Sequence, residues 1–164
     1  MSSLPDHHWM TLAIDAARRG IAAGQTPFGA VIVRGDQRGG DELVLAAHNV
    51  VWQHTDITAH AEVHAIRLAC ARLGTIDLSG CRIYSTCEPC PMCFSACHWA
   101  RLDRIIYGAS IADAKAAGFN ELPVSNELLK REGHSPVQLT PHLLRDECRE
   151  LFEVWKASAG HRGY

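Results

Sequence analysis

A chain of 164 residues with 16 basic and 18 acidic side chains, formal net charge −2, is the size of one ordinary domain and can bury a core without cross-links. The balanced charge, with no concentrated basic stretch, argues against a nucleic-acid partner and favours a small uncharged ligand. No apolar run approaches the ~20 residues of a membrane span, and the first residues lack a basic segment followed by an apolar one, so no membrane is involved and the expected location is the cytoplasm.

The chain alternates helix and strand patterns, without repeats or low-complexity linkers. Trp9, Leu12, Ala13, Ala16, Ala17 and Ile21 recur near a 3.6-residue period and stop at Gly24, predicting a helix over 9–23. Phe28 to Val33 and Leu43 to Ala47 read as the two strands of a hairpin, with a loose turn through Gly35-Asp36 and Gly39-Gly40. A helix from about His60 to Leu73, a strand Arg82 to Thr86, a helix Cys90 to Ala100 and a strand Arg104 to Tyr107 follow. After a polar stretch from Asn120 to His134, a strand near Val137–Leu139 and a helix from about Pro141 to Ala157 close the chain. This alternation implies crossover connections and a partly parallel sheet flanked by helices.

Seven cysteines, an odd number crowded between Cys70 and Cys97 with Cys148 apart, do not form the framework of a small secreted domain and fit a reducing compartment. There, a close cysteine pair is more often metal-binding or redox-active than cross-linked. His60-Ala61-Glu62 followed by Pro89-Cys90-Pro91-Met92-Cys93 has the order H-x-E then P-C-x-x-C of zinc-dependent nucleobase deaminases. One imidazole and two thiolates supply three ligands of a tetrahedral Zn²⁺ and leave the fourth position for water, as in catalytic zinc sites. Both halves of the motif fall at expected helix starts. Cys90 and Cys93, three apart, present their sulfurs to one side of a helical turn near the positive end of its dipole. His60 and Glu62, two apart, do not share a helical face. They converge only if His60 lies on the non-helical side of the N-terminus, where Thr58 is a nearby cap.

Other readings of the same residues exist. Cys87-Glu88-Pro89-Cys90 is a second, overlapping CxxC, so spacing alone allows Cys87 and Cys90 as the ligands. A thioredoxin-like redox pair leaves His60 and Glu62 unexplained. His60 and His64 are four apart, but Ala61 stands where a zincin needs Glu, and His64 reads as an ordinary helix residue. A zinc-stabilised module without catalysis is the alternative from another class. On the catalytic reading, Zn²⁺ brings the pKa of a bound water down to about 7. Glu62 then shuttles its proton to the ring nitrogen and the departing amine.

These motifs, together with Pro27-Phe28-Gly29-Ala30-Val31-Ile32-Val33, Thr58-Ala59-His60-Ala61-Glu62-Val63 and Trp99-Ala100-Arg101, resemble the cytidine deaminase-fold superfamily, and within it the small bacterial-type guanine deaminases, from about Trp9 to Tyr164. The resemblance implies a single domain over 1–164, an α/β three-layer α-β-α sandwich on a central mixed, mostly parallel five-stranded sheet. It also implies the conversion of guanine to xanthine and ammonia. Cytosine, guanosine, isocytosine, an aminotriazine and tRNA adenosine are the alternative substrates. By the same resemblance the substrate-binding residues are Phe28, Asn49, Ala61, Trp99, Asp113 and Tyr164. Asn49 offers an amide that both donates and accepts, and Asp113 a carboxylate for guanine's N–H-bearing edge. The ordinary readings are a turn residue for Asn49, a helix-start or loop aspartate for Asp113 and core rings for Phe28 and Trp99. The segment from about 155 to 164 is expected to be a lid, with Tyr164 reaching in from the partner of a domain-swapped homodimer. Phe94 and Trp99 would lie at the subunit interface. By contrast, Leu143 to Cys148 looks like the C-terminal helix of tRNA adenosine deaminases, and packing continuously through Ala157 would argue against a swap.

Overall fold

The computed structural model describes residues 4–35 and 40–164. The opening helix α1 (Asp6–Ala22) buries Trp9, Met10, Ala13, Ile14, Ala17 and Ile21 on one face, and the chain turns away at Gly24, φ +76°. Strands β1 (Gly29–Gly35) and β2 (Asp41–His48) pair antiparallel as the expected hairpin, with a register shift between Ile32 and Val33. Part of its expected turn, residues 36–39, lies outside the described residues.

A four-residue helix α2 (Val51–His54) and α3 (Ala61–Leu73) lead to β3 (Cys81–Cys87). Then come α4 (Pro91–Trp99), β4 (Arg104–Ala109), α5 (Ile111–Ala116), α6 (Asn126–Glu132), β5 (Gln138–Thr140) and α7 (Arg145–Ala157). The five strands form one sheet in the order β2-β1-β3-β4-β5. β1 is antiparallel to both β2 and β3, whereas β3, β4 and β5 run parallel. The mixed five-stranded sheet is as expected, but its pairings divide evenly rather than being mostly parallel, because the hairpin strand β1 sits inside the sheet.

Strand side chains alternate between two cores. Val31, Val33, Tyr84 and Ile106 face α1 and α7, while Ala30, Ile32, Ile83 and Ile105 face α3 and α4. The three layers follow from β1, β3 and β4 being apolar on both faces. Two glycines let the first layer lie close. A Cβ on Gly29 would stand 2.1 Å from Ala13 O of α1, and one on Gly108 would stand 2.2 Å from Cys148 Sγ of α7.

Three short helices had not been expected. Ser125 accepts from Leu128 N at the start of α6, inside the stretch read as merely polar, and Ser110 caps α5. The last helix starts at Arg145 rather than Pro141, because His142 and Leu144 adopt positive φ, 65° and 49°. Among the described residues no helix is long and apolar enough to cross a membrane.

Candidate active site

The C-terminal end of β3 and the starts of α3 and α4 meet at one point. His60 is the N-cap of α3, with φ −59° and ψ 157°, and Cys90 the N-cap of α4, with φ −62° and ψ 167°. Pro91 at the first helical position needs no N–H partner there and fixes the entry of the chain. The extended backbone at His60 lets its ring converge on the site of Glu62, the second residue of the helix. Thr58, however, does not cap the helix. Its hydroxyl donates to Asp56 Oδ1 at 2.6 Å and accepts from Arg67 at 3.0 Å, closing a turn ahead of the helix.

His60 Nδ1 lies 3.6 Å from Cys90 Sγ and 3.6 Å from Cys93 Sγ. Tetrahedral zinc with Zn–S of about 2.3 Å and Zn–N of about 2.0 Å requires an S···N separation of about 3.5 Å, so both sulfurs stand at the distance from the imidazole nitrogen that such an ion needs. Theirs is the only cluster of three potential ligands among the described residues. Cys87 is not part of it: its Sγ donates to Ser110 O at 3.6 Å, and burial holds the thiol protonated by pushing its pKa well up. All seven cysteines are free. His64 packs edge-on against His54, ring centroids 5.6 Å apart. Cys90 is pulled down to about 4, first by its hydrogen bond with Cys93 and, against burial, by His60, so it stands ready as a thiolate.

Glu62 is 6 % exposed. Ser85 Oγ donates to its Oε1 at 3.0 Å, and Oε2 lies 3.5 Å from Cys93 Sγ. Burial, then the neighbouring Cys90 sulfur, raises its pKa. A carboxylate so held beside a metal site is suited to carrying protons.

The structure brings some of the expected substrate residues to this point and leaves others away from it. Asn49, fully buried at the end of β2, accepts from Val51 N at 3.1 Å and donates from Nδ2 to Tyr164 Oη at 2.6 Å. The Tyr164 ring lies 5.5 Å from that of His60. Ala61 is the first residue of α3, where a helix N–H has no partner within the helix. Phe28 packs edge-on against Phe119 at 4.9 Å and Phe152 at 6.0 Å, and Phe119 in turn meets Tyr164 at 6.1 Å.

Trp99 is 82 % exposed and lines a cavity of about 1040 Å³ with Ile76, Arg82 and Arg104, at the opposite end of β3 and β4 from the cluster. Over the cluster, the Tyr164 ring stands beside that of His60. Asp113 is not brought to the cluster either. Its Oδ2 accepts from Ser110 N at 2.8 Å and from Arg145 Nε at 3.1 Å, and its Oδ1 from Arg145 Nη2 at 3.0 Å and Arg149 Nε at 3.4 Å. It completes the capping box of α5, and Ser110-x-x-Asp113 is the sequence signal for that role.

The acid whose charge is felt at the site is Glu121, inside the polar stretch from Asn120 to His134, for which the sequence offered no role. Burial, then the charges of Cys90 and Glu62, lift its pKa to about 7. Its one local signal is an acidic residue directly after Gly118-Phe119-Asn120, where the backbone turns at φ +105°.

The tail that carries Tyr164 folds back on its own chain. α7 runs unbroken through Ala157, and Asn120 N donates to Tyr164 O at 3.3 Å. The lid residue expected from a partner subunit therefore meets Asn49 and His60 of the same chain.

Comparison with known proteins agrees with this geometry. Residues 4–109 match the family described as the cytidine and deoxycytidylate deaminase zinc-binding region. The chain is 40 % identical over 161 residues to the guanine deaminase of Bacillus subtilis, covering 94 % of each chain. It is 37 % identical over 150 residues to the tRNA-specific adenosine deaminase of Aquifex aeolicus, covering 88 % of this chain and 94 % of that one. A solved guanine deaminase from Nitrosomonas europaea superposes with a TM-score of 0.85 at 30 % identity, over 96 % of this chain and 88 % of that one. The chain belongs to the cytidine and deoxycytidylate deaminase zinc-binding family and is a zinc-dependent aminohydrolase.

Proposed function

We propose that the substrate is free guanine, converted with water to xanthine and ammonia. The observation that carries this reading is the pairing of two groups around the His60, Cys90 and Cys93 cluster: the buried amide of Asn49 and the carboxyl of Glu121, electrostatically coupled to Cys90, Glu62 and His60. Guanine presents adjacent N–H groups beside a carbonyl, so its edge suits one acceptor carboxylate and one amide that can do both. Glu121 takes the recognition role that the resemblance had assigned to Asp113. Similarity to a guanine deaminase over nearly the full chain supports the same choice.

When bound by His60, Cys90 and Cys93, zinc supplies a Lewis acid that makes water a nucleophile near neutral pH. Glu62 accepts the proton of the attacking water on its carboxylate, held in place by Ser85, and delivers it to the ring nitrogen beside the amino-bearing carbon. Glu62 then takes the second proton from the hydroxyl now on that carbon and passes it to the amino group, so the carbon–nitrogen bond breaks, ammonia leaves and the carbon keeps the oxygen as a carbonyl. Tyr164 shuts the pocket to bulk water from above His60, and Phe28 backs it through Phe119. The seven free cysteines suit a reducing cytoplasm.

The second reading, adenosine in tRNA, is favoured by the likeness to the Aquifex aeolicus enzyme. Net charge −2 and a tail closed over the site speak against a bulky polyanion. Ammonia release from guanine, guanosine, cytosine, isocytosine, adenine and a tRNA anticodon stem-loop, assayed in parallel with the zinc-loaded protein, tests the choice. Guanine turnover abolished in Glu62→Gln with zinc retained is the expected result. Turnover of another member with guanine inert overturns the substrate. Activity surviving in Glu62→Gln overturns the proton-shuttle role.

A further inference from the structure

The tail is held at a second place besides Asn49. Beyond α7 the chain turns at Gly160, φ +70°, and the His161 ring packs edge-on against Trp155 at 5.1 Å. The guanidinium carbon of Arg162 then lies 3.9 Å from the centre of the Trp52 ring, while Trp52 Nε1 donates to Arg162 O at 3.1 Å. Trp52 thus grips one tail residue through both its ring face and its edge, and its ring also stands 6.4 Å from that of Tyr164. Trp52 belongs to α2, the short helix that begins where Asn49 Oδ1 accepts from Val51 N. One rigid turn therefore carries both the buried amide that meets Tyr164 and the outer ring that meets Arg162.

We propose that Trp52 is a positioning residue for the deamination: by clasping Arg162 it keeps Tyr164 of the same chain at the mouth of the base pocket, where its ring can close over a bound base. A chain end with two glycines in its last five residues frays unless something ties it down. The aromatic-cation contact and the indole hydrogen bond offset that lost freedom. In the closed form the Tyr164 hydroxyl takes the Asn49 amide that an entering base needs. Tyr164 must therefore swing aside while Arg162 stays clasped, and Gly163 between them provides the pivot. The role rests on the reading that Tyr164 closes over a bound base.

Steady-state kinetics of W52A, W52F and a chain ending at Gly163, each with zinc content verified, test it. Losing a cation–π contact and a hydrogen bond should raise KM for guanine about ten-fold in W52A, with kcat within about two-fold. W52F, which keeps a ring for the guanidinium but no N–H donor, should fall between W52A and the native chain. Adding W52A to the chain ending at Gly163 should change nothing more, since no Tyr164 is left to position. An equal loss in both backgrounds would mark Trp52 as merely structural and overturn the proposal.

Hydrogen exchange needs no substrate. The Asn120 amide, which donates to Tyr164 O, should exchange faster in W52A while those of β3 stay protected, and unchanged Asn120 exchange overturns the clasp. If the native protein leaves guanine untouched, the substrate assignment fails, and exchange still decides the clasp. Mixing the E62Q chain with the chain ending at Gly163, assayed at low guanine, separates same-chain positioning from exchange between subunits. No recovery of activity is expected, and recovery would show that a partner's tail serves the site.

Discussion

Asp113→Ala separates the two roles available to that carboxylate. Were Asp113 a base-recognising group, its removal would lower kcat/KM with little effect on folding. The structure instead commits both oxygens to Ser110, Arg145 and Arg149, tying the start of α5 to α7. Against the upward push of burial, Arg145 and Ser110 hold the Asp113 carboxyl down at about 2, from an ordinary 3.8. At about 1.4 kcal/mol per unit this depression has an upper bound of about 2.5 kcal/mol. Arg145 and Arg149, 44 % and 53 % exposed, sit in screening solvent, which reduces the ion-pair part to about 1 kcal/mol. Loss of the capping-box bond adds about 0.5–1 kcal/mol. The sum, about 1.5–2 kcal/mol, lowers the melting temperature by roughly 3–8 °C for a chain of this length. The sign follows from the depressed pKa: the contribution is complete above the unfolded value near 3.8 and is lost as pH falls through about 2. Thermal melts of the native and variant proteins at pH 7 and pH 4 should therefore show a gap at both. Deaminase kinetics at 25 °C should match within about two-fold, well below the cost of a lost charged hydrogen bond to substrate. A fall in kcat/KM of about 100-fold with an unchanged melt would refute the structural assignment.

The remaining expectations concern the sheet, the metal and the base. Gly29→Ala drives a Cβ to within 2.1 Å of a backbone carbonyl of α1, so it should cost about 3 kcal/mol or more and show as a sharp drop in urea midpoint or soluble yield. Cys93→Ser should weaken zinc binding beyond the roughly 10–100-fold that loss of an outer hydrogen-bond partner causes. Titration against a chromophoric chelator measures this. On the proposed guanine reading, Glu121→Gln keeps one acceptor oxygen but removes the carboxylate's charge and its second acceptor, so kcat/KM for guanine should fall by about 10–100-fold, while zinc content and melting temperature hold. Full guanine activity in that variant would return the recognition role to another residue.

Much of the centre was legible along the chain because its parts are local. Cys90 and Cys93 are separated by one helical turn, and the two-residue spacing of His60 and Glu62 already demanded an extended N-cap, as observed. The alternation of strand and helix patterns implied the layered sheet, since strands apolar on both faces must be covered twice. The hydrophobic period exposed α1, whereas α2, α5 and α6 are too short for a period, and only their serine caps marked two of them.

What only the tertiary structure decided depends on partners distant in sequence. Asp113 and Glu121 are both acids near Gly118-Phe119, and nothing local distinguishes them. Arg145, 32 residues on, captures the first, while the second lies beyond the turn at Gly118 and is coupled electrostatically to Cys90 and Glu62. Likewise, a tail ending in Gly163-Tyr164 has no intrinsic order. Its place comes from Trp52 and Asn49, more than 100 residues earlier, because an indole face and a buried amide recognise a cation and a phenol only once folding has brought them together.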